Sequence, residues 1–145
     1  MTATKLLAGD IVEVVGESYR QDALLRVEAT ATNSWPYLDE LTGYARRRAE
    51  EDLEGRWFRA VLAREPDNPA DPNAIAVHAA DVGPVGYLSR ANALAYAPVF
   101  DALARAGSTH GSCPAFLIGS GRGVGLGALL CLSSPDEVLR DLITD

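Results

Sequence analysis

Short apolar runs recur along the chain: Ile11 to Val15, Trp57 to Ala63, Ala74 to Val77, Val85 to Leu88, Ala115 to Ile118 and Val124 to Leu132. They are separated by Gly, Pro, Asn and Asp, the residues that turn a chain, and this spacing predicts antiparallel strands in a meander. Leu24, Leu25 and Val27 fit a short strand and a helical turn equally well. Elsewhere the period lengthens. Ser34 as N-cap, Pro36 in the first turn and a stripe of Leu38, Leu41, Ala45, Ala49 and Leu53 predict a helix that Gly55 ends. Ser89 caps a second helix through Ala91, Leu94 and Ala95, which Pro98 should kink before Phe100 and Leu103 resume the apolar face and Gly107 ends it. Ser134 and Pro135 open a last helix with Val138, Leu139, Leu142 and Ile143 facing inward. The fold class is mainly β with helices (α+β).

Composition narrows this picture. With 145 residues, 48% of them hydrophobic, one domain over 1–145 can bury a sizeable core. No apolar run reaches membrane-spanning length and the start of the chain is too short for a secretory signal, so we expect no membrane partner and a cytoplasmic location. With a formal charge of −7 we expect no general phosphate-backbone binding, which a basic stripe usually serves, and only local nucleic-acid contacts. Arg46, Arg47 and Arg48 each have an acid one turn on, at Glu50, Glu51 and Asp52, and read as a solvated helix face. Cys113 and Cys131 read as core residues. A hairpin through Gly119-Ser120-Gly121-Arg122-Gly123 centred on residue 122 would set them opposite each other.

Little catalytic chemistry can be assembled. His78 and His110 lack ligand partners, the Asp67 to Asn73 spacing lacks the glycine and closing glutamate of a calcium loop, and Gly123 to Ala128 alternates like a strand where a dinucleotide fingerprint must open a helix. We therefore expect no enzyme, no metal and no cofactor. The most informative stretch is Glu65-Pro66-Asp67-Asn68-Pro69-Ala70-Asp71-Pro72-Asn73-Ala74. Its prolines fix φ and its Asp and Asn side chains bond to nearby backbone, so the loop is stiff and holds its polar groups in set directions. Either those groups serve only their own turn or they present a small binding site. Tyr19 beside Arg20 offers a stacking face next to a phosphate-binding cation, though a half-buried tyrosine is the plainer alternative. Arg90 opposes the dipole of the helix it starts, which makes it available to an external anion.

Taken together, Gly16 and Tyr19 after a hydrophobic strand, Arg64-Glu65-Pro66-Asp67-Asn68-Pro69-Ala70-Asp71-Pro72-Asn73-Ala74-Ile75-Ala76-Val77, and Val85-Gly86-Tyr87-Leu88-Ser89-Arg90 before a helix resemble the HIRAN domain. The likeness runs from Ile11 to the C-terminal helix. It implies a small antiparallel OB-like β-barrel, here with a helical insertion at 34–55 and a C-terminal helix. In replication-fork-remodelling translocases such domains bind the 3′ end of single-stranded DNA. The resemblance gives Tyr19 the role of stacking on the terminal base, Asp71 that of bonding the 3′ hydroxyl, and Asn68 that of shaping the pocket. Tyr87 matches a polar ring near the DNA and Arg90 a phosphate-contacting lysine. Two positions depart from the DNA-binding pattern. Ala70 replaces an aromatic before the aspartate, and Ser18 replaces an arginine before the tyrosine, where Arg20 could reach the same phosphate. The acidic charge, Ala70 and Ser18 also fit a protein-interaction or adaptor domain that kept the scaffold and lost the DNA pocket.

Overall fold

The computed structural model describes residues 3–120 and 125–144. Its strands are β1 (Thr4–Lys5), β2 (Ile11–Glu13), β3 (Trp57–Arg64), β4 (Ile75–Ala79), β5 (Gly83–Tyr87), β6 (His110–Ser120) and β7 (Gly125–Cys131). Its helices are α1 (Gln21–Thr30), α2 (Gly43–Glu51), α3 (Arg90–Arg105) and α4 (Pro135–Thr144). Antiparallel pairing gives the order β2-β7-β6-β3-β4-β5, with β1 added parallel to β6. The sheet curls until its two edges meet. Just beyond β2, Val15 N–H donates to Tyr87 O at 2.8 Å and Val15 O accepts the reciprocal bond from Tyr87 N–H at 2.9 Å. A side chain at Gly86 would collide with Val14 Cγ1 and Val15 O, so the join requires glycine there. The result is the expected OB-like barrel with helices packed around it.

The two-residue period of the strands feeds two cores, one on each face of the sheet. Ala60, Leu62, Cys113, Ala115, Leu117, Ala128 and Leu130 point into the larger core, which α1, α3 and α4 complete with Leu24, Val27, Val99, Phe100, Leu103 and Val138. Trp57, Phe116 and Cys131 point the other way, into a smaller cluster with Ala8, Trp35, Leu41, Ala45 and Ala49. Leu24, Leu25 and Val27 are thus helical, with Leu24 and Val27 buried and Leu25 exposed, the i, i+3 spacing of one packed face.

Several local expectations need correction. The helix predicted from Ser34 to Gly55 is confined to Gly43–Glu51, preceded by a 3-10 turn at Leu38–Glu40. Thr32 pairs with Trp57 through two backbone bonds, which keeps the chain extended and lays the Trp35 indole against Tyr37 and Trp57 at 5.8 and 6.3 Å. Burying a large apolar side chain is worth about 1.5–3 kcal/mol, more than the roughly 0.5 kcal/mol per residue that helix propensity offers, so tertiary packing wins. Leu41, Ala45 and Ala49 keep their predicted stripe, but Leu53 lies beyond the helix and is exposed. Of the predicted arginine pairs, Arg46 to Glu50 forms at 3.7 Å. Arg48 instead turns inward, its guanidinium 4.5 Å from the Phe116 ring centre.

In α3 the Ser89 cap is present, its Oγ accepting from Asn92 N–H at 3.1 Å, and Pro98 sits within the helix. Gly107, at φ +84°, ends it as predicted. The buried face is Ala93, Tyr96, Val99, Phe100 and Leu103, so Ala91, Leu94 and Ala95 are exposed, contrary to expectation. Likewise Ile143 of α4 is exposed. The β6–β7 ladder is one residue out of the predicted register: Ala115 faces Leu130 and Ser120 faces Gly125. Since one residue inverts side-chain direction, Cys113 and Cys131 fall in different cores, opposite Ala60 and Ile11 respectively, and remain free thiols. Burial pushes both thiols up, that of Cys131 to about 12. The tip of the predicted glycine-rich loop, 121–124, lies outside the described residues.

Candidate functional site

The place where the barrel edges join organises the predicted site residues. From Val15 the chain turns through Gly16, at φ +78°, into a 3-10 turn at Glu17–Tyr19 and then α1. This puts Tyr19 and Arg20 immediately beyond the join. Tyr19 is 88% exposed, a large aromatic with its faces in water, rather than half-buried. Two side chains fasten this turn to β7, which here has run past the end of β2. Glu17 Oε2 accepts from Ala128 N–H at 2.6 Å, and the Gln21 amide donates to Leu126 O and accepts from Leu126 N–H, both at 2.8 Å. Burial raises the Glu17 carboxyl above its ordinary range, helped by the Glu13 charge and opposed by the Ala128 bond.

On the other side of the join, the Tyr87 hydroxyl donates to Glu65 Oε1 at 2.9 Å. That bond, then partial burial and the Glu65 charge, raises the phenol above its ordinary range, while Arg20, close enough to interact with it, pulls the other way. Glu65 Oε1 also accepts from Asn68 Nδ2 at 3.0 Å. Asn68 Oδ1 in turn accepts from the backbone N–H groups of Ala70 and Asp71 at 2.9 and 3.2 Å. Finally Asp71 Oδ1 accepts from Asn73 N–H at 2.9 Å, which fixes the carboxylate plane; its other oxygen takes no hydrogen bond among the described residues. The loop neck is closed by backbone bonds from Glu65 N–H to Ala74 O and from Ala74 N–H to Asp71 O. The side chains of this loop therefore satisfy their own turn, and they leave one oxygen of the half-buried Asp71 carboxylate without a hydrogen bond among the described residues.

Tyr87, Glu65, Asn68 and Asp71 thus form one hydrogen-bonded chain, with Arg20 near its Tyr87 end and Tyr19 next to Arg20 along the backbone. Arg90 is exposed at the start of α3, three positions after Tyr87, and bonds to none of the other five. Open hollows of about 460 Å³ beside Glu17 and Ser18 and about 470 Å³ beside Glu65 and Asn68 border the cluster. Glu65 is the member that the sequence pattern did not single out. Its signal was available: it lies three residues before Asn68 in a tight turn, within reach of that amide. Among the described residues no His, Cys, Asp and Glu group is suited to a metal, and no helix is long and apolar enough to cross a membrane.

A curled antiparallel sheet closed by the Val15–Tyr87 join, with four helices packed around it, defines the class of small OB-like β-barrel domains. Residues 3–113 match the HIRAN domain model, and the chain belongs to that family. Among solved structures it is similar to a protein from Lactobacillus plantarum, at 21% identity over 86% of this chain and 90% of that one, with a TM-score of 0.49. It is also similar to the HIRAN domain of human HLTF, at 17% identity over 96% of this chain and 88% of that one, with a TM-score of 0.46. The DNA-bound conformation of the same HLTF domain gives 17%, 97%, 89% and 0.45 in the same terms. Among curated proteins none matches the chain.

Proposed function

We propose that this HIRAN domain is a non-catalytic module that binds DNA and reads the 3′ end of a single strand. The observation that carries the reading is the cluster beside the barrel join, where the exposed Tyr19 ring and the Arg20 guanidinium on one side lie near the Tyr87–Glu65–Asn68 network that orients the Asp71 loop on the other. In this reading Tyr19 stacks on the terminal base, Arg20 and Arg90 hold phosphates, Tyr87 lines the floor, and Asn68 shapes the loop from which Asp71 accepts the 3′ hydroxyl proton. A carboxylate accepts from a hydroxyl but repels a phosphate, so Asp71 selects a free end over a blocked or continuing strand. Two phosphate contacts give a log–log salt slope of about −1.4, far shallower than a backbone binder would show.

Fluorescence anisotropy with oligonucleotides bearing a free or a phosphorylated 3′ end tests this directly. The wild-type chain is expected to prefer the free end, and Asp71→Ala to erase the preference; equal affinity of the wild type for both ends would overturn the assignment. The formal charge of −7 favours a second reading, a protein-interaction domain on the same scaffold. Under it, neither oligonucleotide binds at physiological salt.

A further inference from the structure

The polar network beside the barrel join is asymmetric in a way that assigns a role to Glu65. Asn68 is the hub of the loop: its Oδ1 must face the Ala70 and Asp71 amides, because the opposite orientation would set an NH2 group against two N–H donors. The backbone bonds of the neck hold the base of the loop. A side-chain tie is added at the other end of the amide, where Nδ2 donates to Glu65 Oε1, and the same oxygen accepts from Tyr87 OH. Tyr87 is in turn anchored through its own backbone to Val15. One carboxylate oxygen therefore joins the strand edge at the join to the loop that carries Asp71.

We infer that Glu65 is a positioning residue that locks the Asn68 amide, and through it the Asp71 carboxylate, to the barrel join, and so determines how sharply a free 3′ hydroxyl is distinguished from a blocked one. The inference rests on the proposed reading of a DNA 3′ end. Glu65 touches no ligand in this scheme. Its side chain is partly buried, and it acts by tying down the Nδ2 end of an amide already held at its Oδ1, so that Asp71 meets the ligand already aimed.

Glu65→Ala and Glu65→Gln test this, because both remove the same charge near the DNA and only the second keeps an oxygen able to accept from Tyr87 and Asn68. Glu65→Ala is expected to reduce the ratio of affinities for free and 3′-phosphorylated oligonucleotides by roughly tenfold, and Glu65→Gln to hold it near the wild-type value. In the protein without DNA, hydrogen exchange at the Ala70 and Asp71 amides is expected to quicken in Glu65→Ala and stay slow in Glu65→Gln. Unchanged exchange in Glu65→Ala overturns the positioning role whatever the DNA result. Equal losses of the ratio in both variants mean that charge, not geometry, matters, and overturn it too. Faster exchange in Glu65→Ala, together with no end preference in the wild type, would retain the lock but remove its link to DNA, so the reading of the 3′ end would fail separately and the specificity claim with it.

Discussion

The loop at 65–74 and the segment at 31–55 both carry polar side chains against the same sheet, and they dispose of them in opposite ways. In the loop the side chains bond to their own turn: Asn68 serves Ala70 and Asp71, and Asp71 serves Asn73, while both side chains stay partly exposed. In the segment, Arg48 and the neighbouring Arg59 are drawn over aromatic rings, at 4.5 Å from Phe116 and 4.9 Å from Trp35. Arg59 is also held by Glu40 at 2.7 Å. Buried nitrogens of Trp35, Trp57, Arg48 and Arg59 lack hydrogen-bond partners among the described residues. Such a region stabilises by area and dispersion and tolerates some unpaired polarity, whereas a recognition surface keeps its polar groups oriented and wet. An arginine cluster is therefore a poor guide to a binding face until its neighbours are known.

Four substitutions sharpen that contrast. Trp57→Ala empties the centre of the smaller core and should cost about 3–5 kcal/mol of stability in chemical denaturation. A loss below about 1 kcal/mol would show the outer cluster to be superficial. Tyr19→Ala should do the reverse, weakening single-stranded DNA binding by about 1–3 kcal/mol through lost stacking while leaving stability within about 0.5 kcal/mol. Arg48→Ala should lower stability by about 1–2 kcal/mol and leave DNA affinity unchanged; a fall in affinity would return the arginine cluster to the binding face.

The smallest effect concerns Glu17. Its raised carboxyl holds a proton more tightly in the folded state than in the unfolded chain, so its contribution to stability grows as pH falls from above the folded pKa to below the ordinary value of 4.5. Glu17→Gln should flatten that acid-range slope and slightly stabilise the protein at neutral pH. Denaturation midpoints measured at neutral and mildly acidic pH check this, and an unaltered slope would assign the pH dependence elsewhere.

Much of this architecture is legible in the chain because its signals are local. The strands from Trp57 to Tyr87 announce themselves by short apolar runs between turn residues, and Ser89, Gly107 and Ser134 mark helix ends whose bonds are satisfied within a few residues. The failures are where distant contacts decide. Trp35 leaves a helical pattern for a place against Trp57, and β1, two residues long, exists only because β6 is there to receive it. The hairpin register, one residue off, could not be fixed by a glycine-rich loop that tolerates more than one turn. At the site, Asp71 and Asn68 were visible as turn formers. Glu65 was not singled out, since its importance comes from Tyr87, which the fold brings to it from the end of β5.

The pair of bonds between Val15 and Tyr87 is the thinnest lap in an otherwise fully laced cylinder. A hoop with one short splice parts there first, so amide exchange at those two residues will outpace that in the β3–β6 ladder, and any nucleotide gripping Arg20 on one lip and the Asp71 loop on the other acts as a rivet across the splice. Heat resistance gained on binding an oligonucleotide should then be traceable to slower opening of this single joint.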